Sequence, residues 1–349
     1  MSEEINPSPV PESSTPSAKT AERGLYATSQ LIAHARGELG HVIAGQAAVI
    51  EEVLIAVLCQ GHALLEGVPG IAKTLIVKSL GRLLGLGFQR VQATPDLMPA
   101  DILGTSILRP GTDSFSFHAG PVFTDLLLVD EINRMPPRTQ AALLECMEER
   151  QVTSDVVRRP LPAWFTVFAT QNPVDFEGTY PLPEAQLDRF LLKIEVRRSG
   201  VETLEKIVLN RKIGIEPEVP TVLTRDELNQ LLDLSQRIYL PPVVANYIAR
   251  LVDGTHTVGS LGIKYGASPR AALALAAAAR SRALLHSRPN AGTEDVRAVA
   301  HPILQHRIIL DYNARLDGAS TATVVEKLLA EIPAQELERP KTLLDAKLR

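Results

Sequence analysis

Short apolar runs alternate with segments of helical periodicity in the part of the chain before Arg198. The segments between the runs carry apolar residues at three- and four-residue spacing, which predicts helices. Parallel strands need such crossover helices, so the pattern predicts a parallel sheet with helices on both faces. The five predicted strands are 63–66, about 88–92, 126–129, 164–169 and 191–196.

From Gly200 onward the periodicity is helical only, which predicts an all-α lid domain over residues 199–349. Helix starts are predicted at Thr224, Pro242, Pro269 and Thr293, because hydroxyl side chains cap helices and proline is tolerated in a first turn. The lid is expected to join the first domain through residues 214–220.

The N-terminal residues 1–21 are rich in proline, serine and glutamate, and they contain few apolar side chains. Such a segment cannot offset the entropy of ordering, so a disordered tail is predicted. Helices are predicted for residues 28–39 and 47–60.

Two β-hairpins are predicted within the first domain. Residues 106–117 alternate in polarity around Pro110-Gly111, which is typical of a hairpin turn. Residues 151–161 suggest a second, shorter hairpin that carries Arg158 and Arg159.

Composition narrows the class of protein. The 349 residues are 45% hydrophobic, enough for two domains with sizeable cores, and the net charge of −4 gives no general nucleic-acid footprint. Cys59 and Cys146, the two cysteines, are expected to be buried and reduced. Because no signal peptide and no run of 18 apolar residues is evident, a cytoplasmic protein without transmembrane segments is expected.

The strand at 63–66 is followed by a glycine-rich turn, Gly67-Val68-Pro69-Gly70-Ile71-Ala72-Lys73-Thr74, and by a helical segment from Leu75. Backbone N–H groups of such a turn lack partners, and the helix dipole adds positive charge, so a phosphate is favoured there. On this hypothesis the residues from Gly67 to Leu75 bind ATP, Lys73 reaches the β- and γ-phosphates, and Thr74 ligates Mg²⁺. Ala72 replaces the usual glycine, which is acceptable if Ala72 is already helical. A simple Gly/Pro turn is the alternative.

Two carboxylates, Asp130 and Glu131, follow the apolar strand 126–129. Sheets of this class bind ligands at the carboxyl ends of their strands, so Asp130 is expected to hold Mg²⁺ through water. Glu131 is expected to polarise the water that attacks the γ-phosphate. The alternative is an acidic helix start, because Pro136 and Pro137 open a helix from about 138 to 150.

Five segments occur in an order that identifies a family: GVPGIAKT, LLLVDEINRMPPRTQAALLECMEERQVT, FATQNP, LPEAQLDRF and GASPRA. From about Val42 to its end the chain resembles the MoxR family of AAA+ ATPases. Clamp loaders and the magnesium-chelatase ATPase subunit share pieces of the pattern. The resemblance implies a P-loop domain of α/β class over residues 22–198, a five-stranded αβα sandwich with a hairpin insert at about 105–118, followed by the lid.

The resemblance also implies roles for residues outside the glycine-rich turn and the acidic pair. Val42 and Ile43 correspond to residues that line the adenine pocket, although core packing would explain them equally well. Asn172 is similar to sensor 1, a polar contact to water and the γ-phosphate, and an Asn-Pro turn is its alternative.

Two arginines are implied to complete the site. Arg189 occupies the position of an arginine finger, whose guanidinium reaches the γ-phosphate of a neighbouring subunit, unless it pairs locally with Asp188 or Glu184. Arg134, Arg158 and Arg159 are the other candidates for that role. Arg270 resembles sensor 2, which acts in cis or in trans.

A MoxR-like chain is expected to hydrolyse MgATP as a homo-oligomer, a hexamer, and to remodel or mature protein clients. Such proteins commonly act with a partner that carries a von Willebrand factor A domain, expected here on a separate polypeptide. Phe115 and Phe117 of the insert either contact the client or simply pack. The alternatives are a chelatase-like subunit that drives metal insertion and a slow, nucleotide-switched binding scaffold. No nucleic-acid partner is expected.

Overall fold

The computed structural model describes residues 18–108, 115–154, 157–172, 178–212, 214–257 and 261–334, with side chains from residue 30 onward. The helices are α1 (Ala18–Val42), α2 (Ala47–Leu58), α3 (Lys73–Leu83), α4 (Pro99–Leu103), α5 (Pro137–Glu149), α6 (Glu184–Leu187), α7 (Val201–Asn210), α8 (Arg225–Arg237), α9 (Pro242–Thr257), α10 (Pro269–Leu285), α11 (Thr293–Leu304), α12 (Tyr312–Leu316) and α13 (Thr321–Glu331). The strands are β1 (Ala63–Glu66), β2 (Phe88–Gln92), β3 (Gly104–Leu108), β4 (Phe115–Ala119), β5 (Leu126–Asp130), β6 (Gln151–Ser154), β7 (Val157–Pro160), β8 (Thr166–Gln171), β9 (Leu192–Glu195), β10 (Ile263–Tyr265) and β11 (Ile309–Leu310).

The predicted parallel sheet is confirmed, with the strand order β2-β5-β8-β1-β9 and parallel pairing throughout. Successive side chains of a strand point to opposite faces. Leu126 and Leu128 accordingly pack into one apolar cluster, whereas Leu127 and Val129 pack into the other. Both faces of β5 are therefore buried, which explains its uninterrupted apolar sequence.

The C-terminal helices share a core with one face of this sheet. Leu275 of α10, Val296 of α11 and Leu231 of α8 lie in the same buried cluster as Leu65 and Leu128. Thr224 caps α8 as predicted: its hydroxyl accepts from Glu227 N, while the Glu227 carboxylate accepts from Thr224 N. The lid is thus continuous with the sandwich rather than a separately packed unit.

The lid is not entirely helical, because β10 and β11 form an antiparallel pair within it. The prediction of helices alone from Gly200 onward missed this pair. Strands of two and three residues are too short for a period-two pattern to stand out from a helical one.

Several predicted boundaries also differ from the structure. Helix α1 begins at Ala18 rather than Thr28, so residues 18–21 of the predicted tail are helical, and residues 1–17 lie outside the described residues. Strand β8 begins at Thr166 rather than Trp164. Residues 18–27, before Thr28, belong to α1, whereas the buried Trp164 and Phe165 precede β8 without being part of it. Sequence patterns mark such ends poorly.

Both predicted hairpins are present, as β3–β4 and β6–β7, and they contact each other. The Arg159 guanidinium lies 3.9 Å from the centre of the Phe117 ring, and Phe117 packs edge-on against Phe123. Phe115, by contrast, is 73% exposed. The predicted turn at Pro110-Gly111 lies outside the described residues.

Both cysteines are free thiols; Cys146 is buried as expected, whereas Cys59 is partly exposed, so the expectation of burial is wrong for Cys59. Enclosure of the thiol still raises the pKa of Cys59 to about 11, against a hydrogen bond with Ser281. Among the described residues, no helix combines the length and the apolarity needed to cross a membrane.

His62 joins three parts of the core through its imidazole ring. Its Nδ1 accepts from Val167 N at 2.9 Å, so its Nε2 carries the proton and donates to Met147 O at 3.1 Å. Burial, aided by the nearby Arg150 charge, lowers the pKa of His62 to about 4. The folded state therefore holds this histidine neutral.

We expect the free energy of unfolding to fall on acidification because of His62. The unfolded chain takes up the proton below about pH 6.5, whereas the folded chain resists it down to about pH 4. The stabilisation is complete above pH 6.5 and is lost as the pH falls; between pH 7 and pH 5 the loss is on the order of 2 kcal/mol. Urea unfolding at both values measures it, and the difference should shrink by that amount in His62→Gln.

The exposed His118 offers a matched control. His118→Gln should keep the parental difference between pH 7 and pH 5. Burial also lowers the pKa of His306. Its contribution to the pH dependence of the free energy of unfolding is the same in every variant, so it cancels in the comparison. An unchanged pH difference in His62→Gln would contradict the interpretation.

Candidate active site

The candidate site lies at the carboxyl ends of three adjacent strands, β5, β8 and β1. The glycine-rich turn follows β1, the acidic pair ends β5, and Asn172 follows β8. The three motifs meet around a cavity of about 350 Å³. Its lining consists of Pro69, Gly70, Ala72, Lys73, Thr74, Arg90, Gln92, Asp130, Glu131, Thr170 and Asn172.

The glycine-rich turn is held in a left-handed conformation at two positions, Gly70 (φ +81°) and Ala72 (φ +66°). Helix α3 begins only at Lys73, so the condition under which alanine would be acceptable at position 72, an already helical residue, is not met. A left-handed residue with a Cβ costs roughly 1–2 kcal/mol, which glycine would avoid. At Gly67 a side chain is excluded, because an added Cβ would lie 2.6 Å from Val196 O.

Lys73 points back along its own turn. Its ammonium donates to Gly67 O at 2.5 Å and to Gln171 O at 3.4 Å. Burial lowers the pKa of Lys73, against the opposing effect of Asp130, Glu131 and Glu66. The charge therefore lies among carboxylates at the mouth of the turn, where an anionic ligand can replace the carbonyl contacts.

Asp130 is buried and bonded on both oxygens. Its Oδ2 accepts from Thr74 Oγ1 at 3.3 Å and from Arg90 Nε at 2.6 Å, while its Oδ1 accepts from Thr170 Oγ1 at 3.1 Å. Thr74 and Asp130 present neighbouring hard oxygen atoms, the donor type that Mg²⁺ prefers. These residues fit the predicted magnesium role. In the described part of the chain, no cluster of three or more His, Cys, Asp or Glu side chains could hold a metal ion.

Glu131 adopts a left-handed backbone (φ +58°), and its N–H donates to Thr170 Oγ1 at 2.9 Å. The Thr170 hydroxyl therefore fixes both acidic residues, since it accepts from Glu131 and donates to Asp130. The Glu131 carboxylate lies 2.9 Å from Arg134 Nε and 3.4 Å from Gln92 Nε2. A non-glycine residue keeps this strained conformation only where surrounding contacts hold it. Such residues cluster at functional sites.

Asn172 is 5% exposed and lines the same cavity as Lys73, Asp130 and Glu131. Three polar residues that the sequence did not single out join it there: Arg90, Gln92 and Thr170. Arg90 and Gln92 are two apart at the end of β2, the strand beside β5. Polar side chains at that strand end were the available signal, because neighbouring parallel strands end at one edge of a sheet.

The predicted adenine residues Val42 and Ile43 are both 5% exposed and pack in the main core. The residues that flank them, Gly40, His41, Ala44 and Gly45, border a separate cavity of about 360 Å³ together with α7. Arg211, just after α7, donates a hydrogen bond to Val42 O. The side chains of Val42 and Ile43 thus pack into the core and do not line the cavity of about 360 Å³.

Arg189 and Arg270 do not line the cavity that holds Lys73. They meet at Glu148, near the end of α5: Arg189 Nη2 lies 3.0 Å from Glu148 Oε2, and Arg270 Nη2 lies 2.7 Å from Glu148 Oε1. Both arginines border a different cavity of about 410 Å³. The chain therefore brings these two predicted residues together, but apart from its own glycine-rich turn.

The loop that carries Arg189 is fastened to the lid by Arg307. The buried Arg307 donates to Asp188 Oδ1 at 2.7 Å and to Phe190 O at 2.7 Å, the residues on either side of Arg189. Asp188 also accepts from Ser268, which precedes α10 and Arg270. Arg189 therefore pairs with Glu148 and not with Asp188 or Glu184, the local partners that were the alternative to a finger role.

Two of the three other arginine candidates, Arg134 and Arg159, have partners within the chain. Arg134 pairs with Glu131, and Arg159 stacks on Phe117 and donates to Ser154 O. Arg158 lies exposed on β7.

Comparison with known proteins matches two parts of the chain to family models. Residues 62–192 match the ATPase family associated with various cellular activities (AAA), and residues 256–328 match the AAA lid domain. AAA+ ATPases bind nucleotide, typically with a metal ion, and typically form oligomers.

Relatives cover most of the chain. It is 41% identical over 317 residues to Chaperone MoxR1 of Mycobacterium tuberculosis, which covers 88% of this chain and 84% of that protein. Protein MoxR of Methylorubrum extorquens is 31% identical, over 78% of this chain and 86% of its own length. A crystal structure of a protein from Cytophaga hutchinsonii superposes with a TM-score of 0.84 at 38% identity, covering 91% of this chain and 99% of that one.

The left-handed Ala72 yields a test by substitution. Ala72→Gly should not lower the free energy of unfolding and should raise it by up to about 1 kcal/mol, because relief of strain exceeds the greater unfolded-state entropy of glycine. Gly70→Ala introduces the same strain and should lower it by a similar amount. Urea unfolding of the two variants measures both effects. A loss of about 1 kcal/mol in Ala72→Gly would instead indicate a right-handed helical residue.

Proposed function

The chain belongs to the MoxR family of AAA+ ATPases, and we propose that it hydrolyses MgATP as a hexameric ring in order to remodel or mature client proteins. The observation that carries this proposal is the convergence of Lys73, Asp130, Glu131 and Asn172 on one cavity. The separate location of Arg189 and Arg270 supports the ring, because a γ-phosphate bound at Lys73 would lack a finger from its own subunit.

Five residues of the cavity have distinct tasks in the proposed hydrolysis. Lys73 exchanges its carbonyl partners for the β- and γ-phosphates, and backbone N–H groups of the turn bind the same anion. Thr74 and Asp130 would hold Mg²⁺, which neutralises phosphate charge when bound. Glu131 polarises the attacking water, and Asn172 orients that water against the γ-phosphate. Since phosphoryl transfer depends on positioning and electrostatics, the rigid Thr170 contacts are part of the catalytic apparatus.

Arg189 and Arg270 act in trans in this proposal. Both guanidinium groups meet at Glu148, and both are partly exposed, 30% and 57% for the side chains. A neighbouring subunit that presents its nucleotide to this face would receive two positive charges at the γ-phosphate. Arg134 is unsuited to the same role, because its guanidinium lies 2.9 Å from Glu131, which lines the nucleotide cavity of its own subunit.

Client contact is assigned to the exposed apolar residues of the two hairpins. Phe115, Ile107, Leu108 and Val157 are each about half exposed or more. Phe117 instead packs between Arg159 and Phe123, so we assign it to holding the hairpins together. Phe115 is the aromatic side chain left to contact a client.

A partner with a von Willebrand factor A domain completes the proposal. The support is the family, whose members work with partners, and the relative named Chaperone MoxR1 favours action on proteins. We expect ATP to strengthen the association, because nucleotide state sets the arrangement of subunits around the ring.

Lys73→Ala and Glu131→Gln should separate binding from turnover. Lys73→Ala should lose MgATP binding in calorimetry, because the charge opposite the β- and γ-phosphates is gone. Glu131→Gln should bind ATP, since Lys73 and Asp130 remain, while hydrolysis falls by orders of magnitude. Ala72→Gly, in the same turn, is the control and should both bind and hydrolyse ATP.

Near-parental hydrolysis by Glu131→Gln would refute the assignment of the base, and unchanged ATP affinity in Lys73→Ala would refute the phosphate-binding turn. Because Glu131→Gln should remain in its ATP-bound assembly, it is also the variant with which to capture the partner. Recovery of nucleic acid, without any von Willebrand factor A domain protein, would count against the partner proposed.

Arg189→Ala should retain ATP binding but lose hydrolysis by a factor on the order of 10³, because transition-state charge is left unmatched. Mixed with Lys73→Ala subunits, it should regain activity. At some interfaces the intact pocket of an Arg189→Ala subunit then meets the intact arginine of a Lys73→Ala subunit. The measurement is the ATPase rate of mixed rings against the rate of each variant alone.

Mass spectrometry of the intact assemblies controls for subunit exchange. If mixed rings form and stay inactive, Arg189 acts within its own subunit or is structural. If Arg189→Ala alone hydrolyses ATP at the parental rate, it has no catalytic role.

A further inference from the structure

One carboxylate joins the two arginines that come from different parts of the chain. Glu148 lies in the last turn of α5, Arg189 follows α6, and Arg270 lies in the first turn of α10 in the lid. Each guanidinium takes a different oxygen of Glu148, at 3.0 and 2.7 Å. The side chain of Glu148 is 36% exposed, and it lines none of the cavity around Lys73.

Charge explains why a carboxylate is needed at this point. Guanidinium groups stay protonated in proteins, so two of them held close together repel each other. Arg150 and Arg307 border the same cavity and add further positive charge. Asp188 is engaged by Arg307, so Glu148 is the carboxylate that contacts both Arg189 and Arg270.

We propose that Glu148 is a positioning residue that holds Arg189 and Arg270 as a pair, so that both reach one γ-phosphate on the neighbouring subunit. This inference rests on the proposed trans action of the two arginines. Glu148 does not touch the nucleotide in this arrangement. It limits the rotamers of two long side chains and brings their charges to a common point before the subunits meet.

The contribution of Glu148 to folding is small by comparison. Ion pairs with exposed partners stabilise proteins little, because water screens them and ordering the side chains costs entropy. The entropic cost of ordering a long side chain at an interface has a larger effect on the rate of hydrolysis. Loss of this order for both arginines should slow hydrolysis by about ten-fold.

The test uses mixed rings in which Glu148→Ala is moved from one subunit type to the other. In the first mixture, Lys73→Ala/Glu148→Ala subunits supply the arginines to the intact pockets of Arg189→Ala subunits. In the second mixture, Lys73→Ala subunits supply them, and Glu148→Ala is in the Arg189→Ala subunits. Both mixtures contain the same substitutions in the same numbers, so a general loss of stability affects them equally.

We expect the second mixture to hydrolyse ATP as fast as the parental pair of Lys73→Ala and Arg189→Ala, and the first to be about ten-fold slower in kcat. The ATP concentration for half-maximal rate should be the same in all mixtures, because the working pockets are identical. Equal losses in both mixtures would show a structural role, and no loss in either would show none. A faster first mixture would mean that Glu148 restrains the arginines; each of these three outcomes overturns the proposal.

The activity of the parental pair keeps the outcome distinct from that of the proposed function. If the parental pair itself is inactive, the trans action of Arg189 fails, and the proposal on Glu148 falls with it. If that pair is active, the Glu148 mixtures alone test the proposal on Glu148.

Glu149 is an exposed glutamate on the same helix, and Glu149→Ala in the arginine-donating subunit is the matched control, which should leave the rate unchanged. Glu148→Gln in that subunit keeps the size of the side chain and removes its charge, and a parental rate for it would also overturn the proposal.

Discussion

The burial of three adjacent parallel strands is the constraint on which the site depends. Because β5, β8 and β1 are paired in parallel, their carboxyl ends lie at one edge, and each can bring polar groups to a common point. The Thr170 hydroxyl then ties Asp130 to the backbone of Glu131. Strained residues at Ala72 and Glu131 persist because this buried frame holds them.

The sequence predicted those parts of the fold in which a local pattern has one structural solution. Apolar strands separated by helices specify a parallel sheet, and a glycine-rich turn between a strand and a helix specifies an anion site. The same reasoning failed at Ala72, because the identity of a residue does not fix its backbone region when neighbouring contacts can impose strain. It also failed for β10 and β11, whose few residues pair only because the lid helices bring them together.

Residues that act through others were beyond the reach of sequence reasoning. Glu148 is one of several charged residues on an amphipathic helix, and nothing local distinguishes it from Glu149. Its position becomes evident only when the lid has folded back and Arg270 has reached α5. Arg307 is similar, since its hydrogen bonds span more than a hundred residues of sequence to the loop around Arg189.

The stacking of Arg159 on Phe117 has a mechanical consequence. Strand β6 begins two residues after α5 ends, so the shorter hairpin is a direct extension of the helix that carries Glu148. The stack joins that hairpin to the insert on which Phe115 is exposed. A force applied at the insert would therefore pass through one hairpin and the last turn of α5 to reach the paired arginines. In the proposed ring, load on the insert and ATP hydrolysis in the adjacent subunit would be coupled through this one short connection.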